Sequence, residues 1–130
     1  MFNDLFQPDI IFKYGGRGPK EYDCWGLAAE ILRRKNIIIP LFNDDTPDSD
    51  LERHKALLKG KELFKPIEIP KPFCLVAFSL YDKKHTDHVG VVWKSGYEFI
   101  HISENTKVSI ERLDSFLWEH KIRGYYTCPN

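Results

Sequence analysis

Cys24, His88 and His101 are the residues of this sequence whose types and spacing suit chemistry. Cys24 follows the run Gly15-Gly16-Arg17-Gly18-Pro19 and opens a stretch in which Cys24, Leu27, Ala28 and Ile31 share one helical face. At a helix N-terminus the unpaired backbone N–H groups and the helix dipole favour a thiolate over a thiol. The same N–H groups can steady an oxyanion on an attacked carbonyl. A free cysteine is otherwise a small apolar core residue, so the thiol needs partners before it counts as a nucleophile.

The histidines supply them. His88 opens the strand-like run to Trp93, and His101 sits near the end of Tyr97 to Ile102, with Lys94-Ser95-Gly96 between them as a hairpin turn. Directly opposed residues in a hairpin share a constant index sum and point to one face. A loop with an even residue count makes that sum odd, as 88 and 101 require. Both imidazoles then project from the same face, level or about one pair out of register. That placement suits a base and its orienting partner. A three-residue loop without a bulge would separate them. Gly90 leaves room on the same face. Gly26, unfavourable inside a helix, makes sense where bulk would block a substrate or a neighbouring strand.

Competing chemistries fit less well. Zinc ligation by His85, His88, His101 and Cys24 would want the first two on a helix, whereas His85 lies in a loop feeding a strand; no metal or cofactor is expected. No Gly-x-Ser-x-Gly elbow occurs, and the glycine-rich turn is not followed by Gly-Lys-Ser/Thr, so a phosphate loop is not expected. Three cysteines, Cys24, Cys74 and Cys128, make a poor disulfide framework. His54, His85 and His120 fall in polar surroundings and read as surface residues.

The elements that must position these side chains form one domain over residues 1–130. An apolar fraction of 42% with 14% aromatics suits a globular core. Nineteen basic and 19 acidic residues cancel, which argues against a nucleic-acid binder. The start, Met1 to Phe6, lacks a basic region before an apolar core, and no stretch reaches transmembrane length, so a soluble chain made in the cytoplasm without a signal peptide and without membrane contact is expected. The first helix carries Glu21 and Asp23 at its start and Arg33, Arg34 and Lys35 at its end. A polar loop from Asn43 to Asp50, a short helix over Leu51 to Leu58 and a proline-punctuated stretch, Lys65 to Pro72, follow. Cys74–Leu80, His88–Trp93, Tyr97–Ile102 and Gly124–Cys128 read as strands. A short strand near Val108 and a helix near Leu113 to His120 complete the reading. Helix first and antiparallel sheet second make an α+β domain.

Tyr14-Gly15-Gly16, Asp23-Cys24-Trp25-Gly26-Leu27, His88-Val89-Gly90-Val91 and Phe99-Ile100-His101, in that order, resemble the motifs of NlpC/P60 peptidases, over about Phe12 to His101. The resemblance implies a papain-like α+β fold, Cys24 as nucleophile, His88 as base and His101 as the residue orienting it. It implies substrate contacts from Tyr14, Tyr22, Asp23, Trp25 and Gly26, and hydrolysis of peptidoglycan stem peptides, often between D-γ-glutamate and diaminopimelate or lysine. The Cys-Trp-Gly and Gly-Arg-Gly-Pro runs look most like members encoded with phage tail assembly genes. The implied setting is therefore the cell wall after delivery by a phage tail or a secretion system. The sequence departs from the pattern at Phe12, where many members carry Tyr, at Trp25, where a small residue is common, and at Phe73-Cys74, where Gly-Asp is usual. Two other readings stay open: a papain-like acyl-processing hydrolase or transferase with another substrate, and an inactive tail structural or binding protein.

Overall fold

Asp23 decides where the main helix begins. Its backbone is extended, and its side chain accepts a hydrogen bond from Gly26 N at 2.7 Å, satisfying one of the open N–H groups of α1 (Cys24–Arg34). Arg33 and Arg34 close the last turn, where the dipole favours positive charge. The chain leaves through Asn36 at φ 63°. Asn36 N then donates to Arg33 O and Ile37 N to Leu32 O, each at 2.9 Å, so two terminal carbonyls are satisfied. The structure, a computed structural model, describes residues 2–39, 64–80 and 86–127. The loop expected at Asn43–Asp50, the helix expected at Leu51–Leu58, His54, His85 and Cys128 lie outside them.

Two short strands, β1 (Ile11–Phe12) and β2 (Glu21–Tyr22), pair in parallel ahead of the helix. The remaining strands form one sheet: β3 (Lys65–Ile67), β4 (Leu75–Phe78), β5 (His88–Val92), β6 (Glu98–Ser103), β7 (Thr106–Arg112) and β8 (Ile122–Thr127). Their order is β3-β8-β4-β5-β6-β7, antiparallel throughout. Pro66 sits on the edge strand β3, where a missing N–H costs no ladder bond.

Both faces of the sheet are covered, which is why β4 and β5 read as near-continuous apolar runs. On one face α1 packs across β5 and β6, burying Leu27, Ile31 and Leu32 with Val89, Val91, Ile100 and Ile102. The opposite face gathers Val76, Phe78, Val92 and Phe99 under Leu113 and Trp118. Alternation along β5 and β6 puts His88 and His101 on this second face, among its rings.

Several expectations change: Glu21 lies in β2 ahead of the helix, the proline-punctuated stretch carries β3, β8 begins at Ile122, and three more changes lie on the histidine side of the sheet. The β5–β6 turn has four residues rather than three: Trp93 N donates to Glu98 O at 2.7 Å, and Tyr97, expected in the strand, is 56% exposed in the turn. The segment expected as a helix, Leu113 to His120, is a series of turns ending in a short 3-10 turn, Glu119–Lys121. A helix would align Leu113, Phe116 and Leu117 on one face. Instead Trp118 is buried, while Phe116 and Leu117 are exposed, so the indole anchor overrides the periodicity. The strand near Val108 is longer than expected, running from Thr106 to Arg112.

Phe73 adopts φ 65°, a conformation that costs an L-residue roughly 1–2 kcal/mol. This is where the resembled pattern has glycine. Its ring meets Phe2 and Trp93 at 6.2 and 6.1 Å, with Lys35 Nζ 4.7 Å above it. The ring is partly buried against the core, which offsets part of the strain.

Candidate active site

The start of α1 is held by main chain. Gly16 O accepts from Asp23 N at 3.2 Å and lies so near Gly26 that a Cβ there would sit 2.1 Å away. The glycine inside the helix thus makes room for the backbone of the preceding turn. Asp23 is fully buried and takes three donors: Gly26 N at 2.7 Å, Arg17 Nη1 at 2.8 Å and Gly15 N at 3.2 Å. It ties the glycine-rich turn to the helix that carries Cys24. Tyr14 is half-buried, and its hydroxyl donates to Glu104 Oε1 at 2.5 Å, joining this turn to the one between β6 and β7.

The expected substrate contacts divide. Tyr14 lines a surface pocket of about 260 Å³ with Lys13, Arg17, Glu21 and the glycines of the turn. Trp25 is wholly buried and meets Phe64 edge-on at 6.0 Å, so it fills the core. Tyr22 is also a core residue, its phenol pushed up in pKa by burial. Gly26 faces Gly16, and Asp23 has its oxygens committed to the turn.

The two histidines meet. His88 Nε2 lies 2.8 Å from His101 Nδ1, and both residues are buried. Pairing of Val91 with Ile100 and Val92 with Phe99 confirms the odd index sum and sets the imidazoles one pair apart on the same face. Gly90 falls beside His101: a Cβ there would come within 3.1 Å of the Phe99 ring and 3.4 Å of His101 Cβ. The room it leaves lets the neighbouring strand seat its imidazole.

Two further residues complete this arrangement, and the sequence reading missed both. Glu111 Oε2 is 2.5 Å from His101 Nε2, and Glu111 Oε1 accepts from Trp118 Nε1 at 2.7 Å. The Trp118 ring stacks on His88 at 6.1 Å and meets His101 edge-on at 4.8 Å. Burial pulls the pKa of His101 down, an effect the Glu111 carboxylate partly opposes. The signal for Glu111 was hidden by a bulge. Ser103 pairs with Thr106, an odd index sum, but beyond the irregularity His101 pairs with Ser109, an even one. The two-residue turn alone would put Glu111 on the wrong face; the bulge returns it to the face of His101.

Cys24 is the first residue of α1 and His88 the first of β5, each 4% exposed. Cys74, also buried, has its thiol pushed up in pKa by desolvation. Among the described residues no group of three or more His, Cys, Asp or Glu is disposed to hold a metal ion, and no helix is long and apolar enough to cross a membrane.

A helix opening on a cysteine, packed on an antiparallel sheet that bears a hydrogen-bonded histidine pair, defines the papain-like α+β class. Within it, the NlpC/P60 family model matches residues 10–127, and the chain belongs to that family, whose members are typically cysteine peptidases. The fold is similar to that of a Staphylococcus aureus protein described as similar to lipoprotein, NLP/P60 family, at 18% identity and a TM-score of 0.66, covering 94% of this chain and 37% of that one. It is also similar to NlpC1 from Trichomonas vaginalis, at 25% identity and a TM-score of 0.57, covering 90% of this chain and 39% of that one. The chain thus spans well under half the length of either. No curated protein matches it.

Proposed function

We propose that this chain is a cysteine peptidase that cuts peptidoglycan stem peptides, at the bond between D-γ-glutamate and diaminopimelate, with Cys24 as nucleophile, His88 as base and His101 orienting the base. The observation that carries the reading is the 2.8 Å contact between the imidazoles, at one end of a sheet crossed by the helix that Cys24 opens. His88 commits Nε2 to His101, so Nδ1 is the atom that takes the Cys24 proton. The reading requires the sulfur to meet Nδ1 around the end of β5.

His88 removes the thiol proton, and the thiolate adds to the scissile carbonyl, whose oxyanion is met by backbone N–H groups at the start of α1. As the C–N bond breaks, His88 protonates the leaving amine. Water, deprotonated by His88, then cleaves the thioester, and the proton returns to sulfur. The pocket beside Tyr14 carries Lys13 and Glu21, which face each other at 3.8 Å, and Arg17, which Asp23 engages; it offers mixed polar contacts to a peptide. Delivery to the wall by a phage tail or a secretion system belongs to the same proposal, on the likeness of the Cys-Trp-Gly and Gly-Arg-Gly-Pro runs.

Mass spectrometry of muropeptides digested with wild type and with Cys24→Ala tests the reading. The wild type should split the stem peptide at the named bond. The variant should keep its fold and lose turnover by a factor on the order of 10⁴ or more. Equal products from both would remove Cys24 from the chemistry.

A further inference from the structure

Three strands contribute one polar side chain each to an oblique line across one face: His88 from β5, His101 from β6 and Glu111 from β7. Glu111 pairs with Phe99 and Ser109 with His101, so Glu111 reaches His101 diagonally over a small residue, as His88 does over Gly90. An indole N–H can only donate, and Trp118 Nε1 donates to Glu111 Oε1. That bond holds the carboxyl group with Oε2 against His101 Nε2. A carboxylate only accepts, so His101 Nε2 must carry a hydrogen. Burial lowers the pKa of this imidazole and so favours its neutral form, in which Nδ1 is bare. Nδ1 can then only accept from His88 Nε2, and a neutral His88 has its lone pair at Nδ1.

We infer that Glu111, steadied by Trp118, is a positioning residue: it sets the proton arrangement of both imidazoles so that His88 presents Nδ1 as the base. The inference deepens the peptidase reading and rests on its assignment of Cys24 and His88. Glu111 need not touch substrate. It acts through His101, and its side chain keeps 28% exposure. Among the described residues, the titratable groups hydrogen-bonded to His101 are His88 on one side and Glu111 on the other.

¹⁵N NMR of the full chain labelled in histidine reads the tautomers directly. In the wild type, neutral His101 and neutral His88 should each carry hydrogen at Nε2 and none at Nδ1. Glu111→Gln has one acceptor oxygen where the wild type has two, so one of its two donors must share that oxygen or face an amide NH₂. The variant should lose the uniform Nε2–H pattern. Alkylation of Cys24 by iodoacetamide at pH 7, followed by peptide mass spectrometry to separate it from Cys74 and Cys128, should slow by about tenfold, with its pH profile moved upward. Trp118→Phe keeps a ring but not the donor, and should slow alkylation by only about threefold.

A hydrogen on His101 Nδ1 in the wild type overturns the inference, whatever the variants do. So does a folded Glu111→Gln with wild-type nitrogen shifts and a wild-type alkylation profile. Should Glu111→Gln fail to fold, the wild-type tautomers and Trp118→Phe decide. The two readings fail separately. Wild type that alkylates quickly, with the expected tautomers, but cuts no muropeptide removes the substrate and leaves Glu111 in place. Wild type that cuts, with Glu111→Gln matching it throughout, does the reverse.

Discussion

The two halves of the candidate site are held by different kinds of structure. The cysteine half is made by main chain: a glycine carbonyl against a glycine in the helix, and a capping carboxylate that gathers two backbone N–H groups and one guanidinium. The histidine half is made by side chains. Rings from β4 and β6 and Trp118 surround two imidazoles, and a carboxylate from the next strand closes the line. Main-chain contacts have no rotamers to give way, so the first half should break abruptly under added bulk. Side-chain contacts relax, so the second should degrade by degrees and respond to pH.

Adding one methyl group to each half gives the largest contrast. In Gly26→Ala the new Cβ would lie 2.1 Å from a backbone oxygen, and either the turn or the helix must move. Overpacking of this kind costs about 3 kcal/mol or more. In Gly90→Ala the new atom meets Ile100 O at 3.0 Å and the Phe99 ring at 3.1 Å, contacts that a shift of a few tenths of an ångström relieves. A cost of about 1 kcal/mol is expected there. Urea unfolding of the two variants measures both. Equal losses would mean that the main-chain half is as compliant as the ring half.

Acid should separate the halves next. Burial holds the folded-state pKa of His101 below its ordinary value of 6.5. Below that value the unfolded chain takes up a proton that the folded one refuses, so stability is fully present above about 6.5 and falls as the pH drops toward the folded pKa. His101→Gln should flatten this part of the pH dependence, as read from urea midpoints at several pH values between 5 and 7.5. A variant with the same slope as wild type would place the titration elsewhere.

The same contrast explains what was legible in the sequence. The helix start was, because Asp23, Cys24 and the basic last turn are local signals. The facing of His88 and His101 was legible as a condition on the loop: it required an even count, which Tyr97 supplies by joining Lys94-Ser95-Gly96 in the turn. Glu111 was not, since one bulge between His101 and Ser103 reverses the parity that sequence alone implies. Trp118 was misplaced on a helix because its anchor is tertiary, an indole bond and four ring contacts that no local pattern announces. Trp25 and Tyr22 look available in a motif and are core in the fold; burial of a residue beside a functional one depends on how the helix is rotated against the sheet.

The smallest expected effect serves as a control at the far end of α1, which is also finished by main-chain bonds but lies ten residues or more from Cys24. Asn36 holds φ 63° there. Asparagine tolerates this conformation better than most L-residues, and glycine better still. Asn36→Gly should therefore stabilise the fold by roughly 0.5 kcal/mol, the relieved strain less the extra chain entropy that glycine gives up. Alkylation of Cys24 should stay at the wild-type rate, because the helix start depends on the glycine turn and Asp23. If this variant alters thiol reactivity, the helix transmits strain along its length, and the two ends of α1 cannot be treated as separate structures.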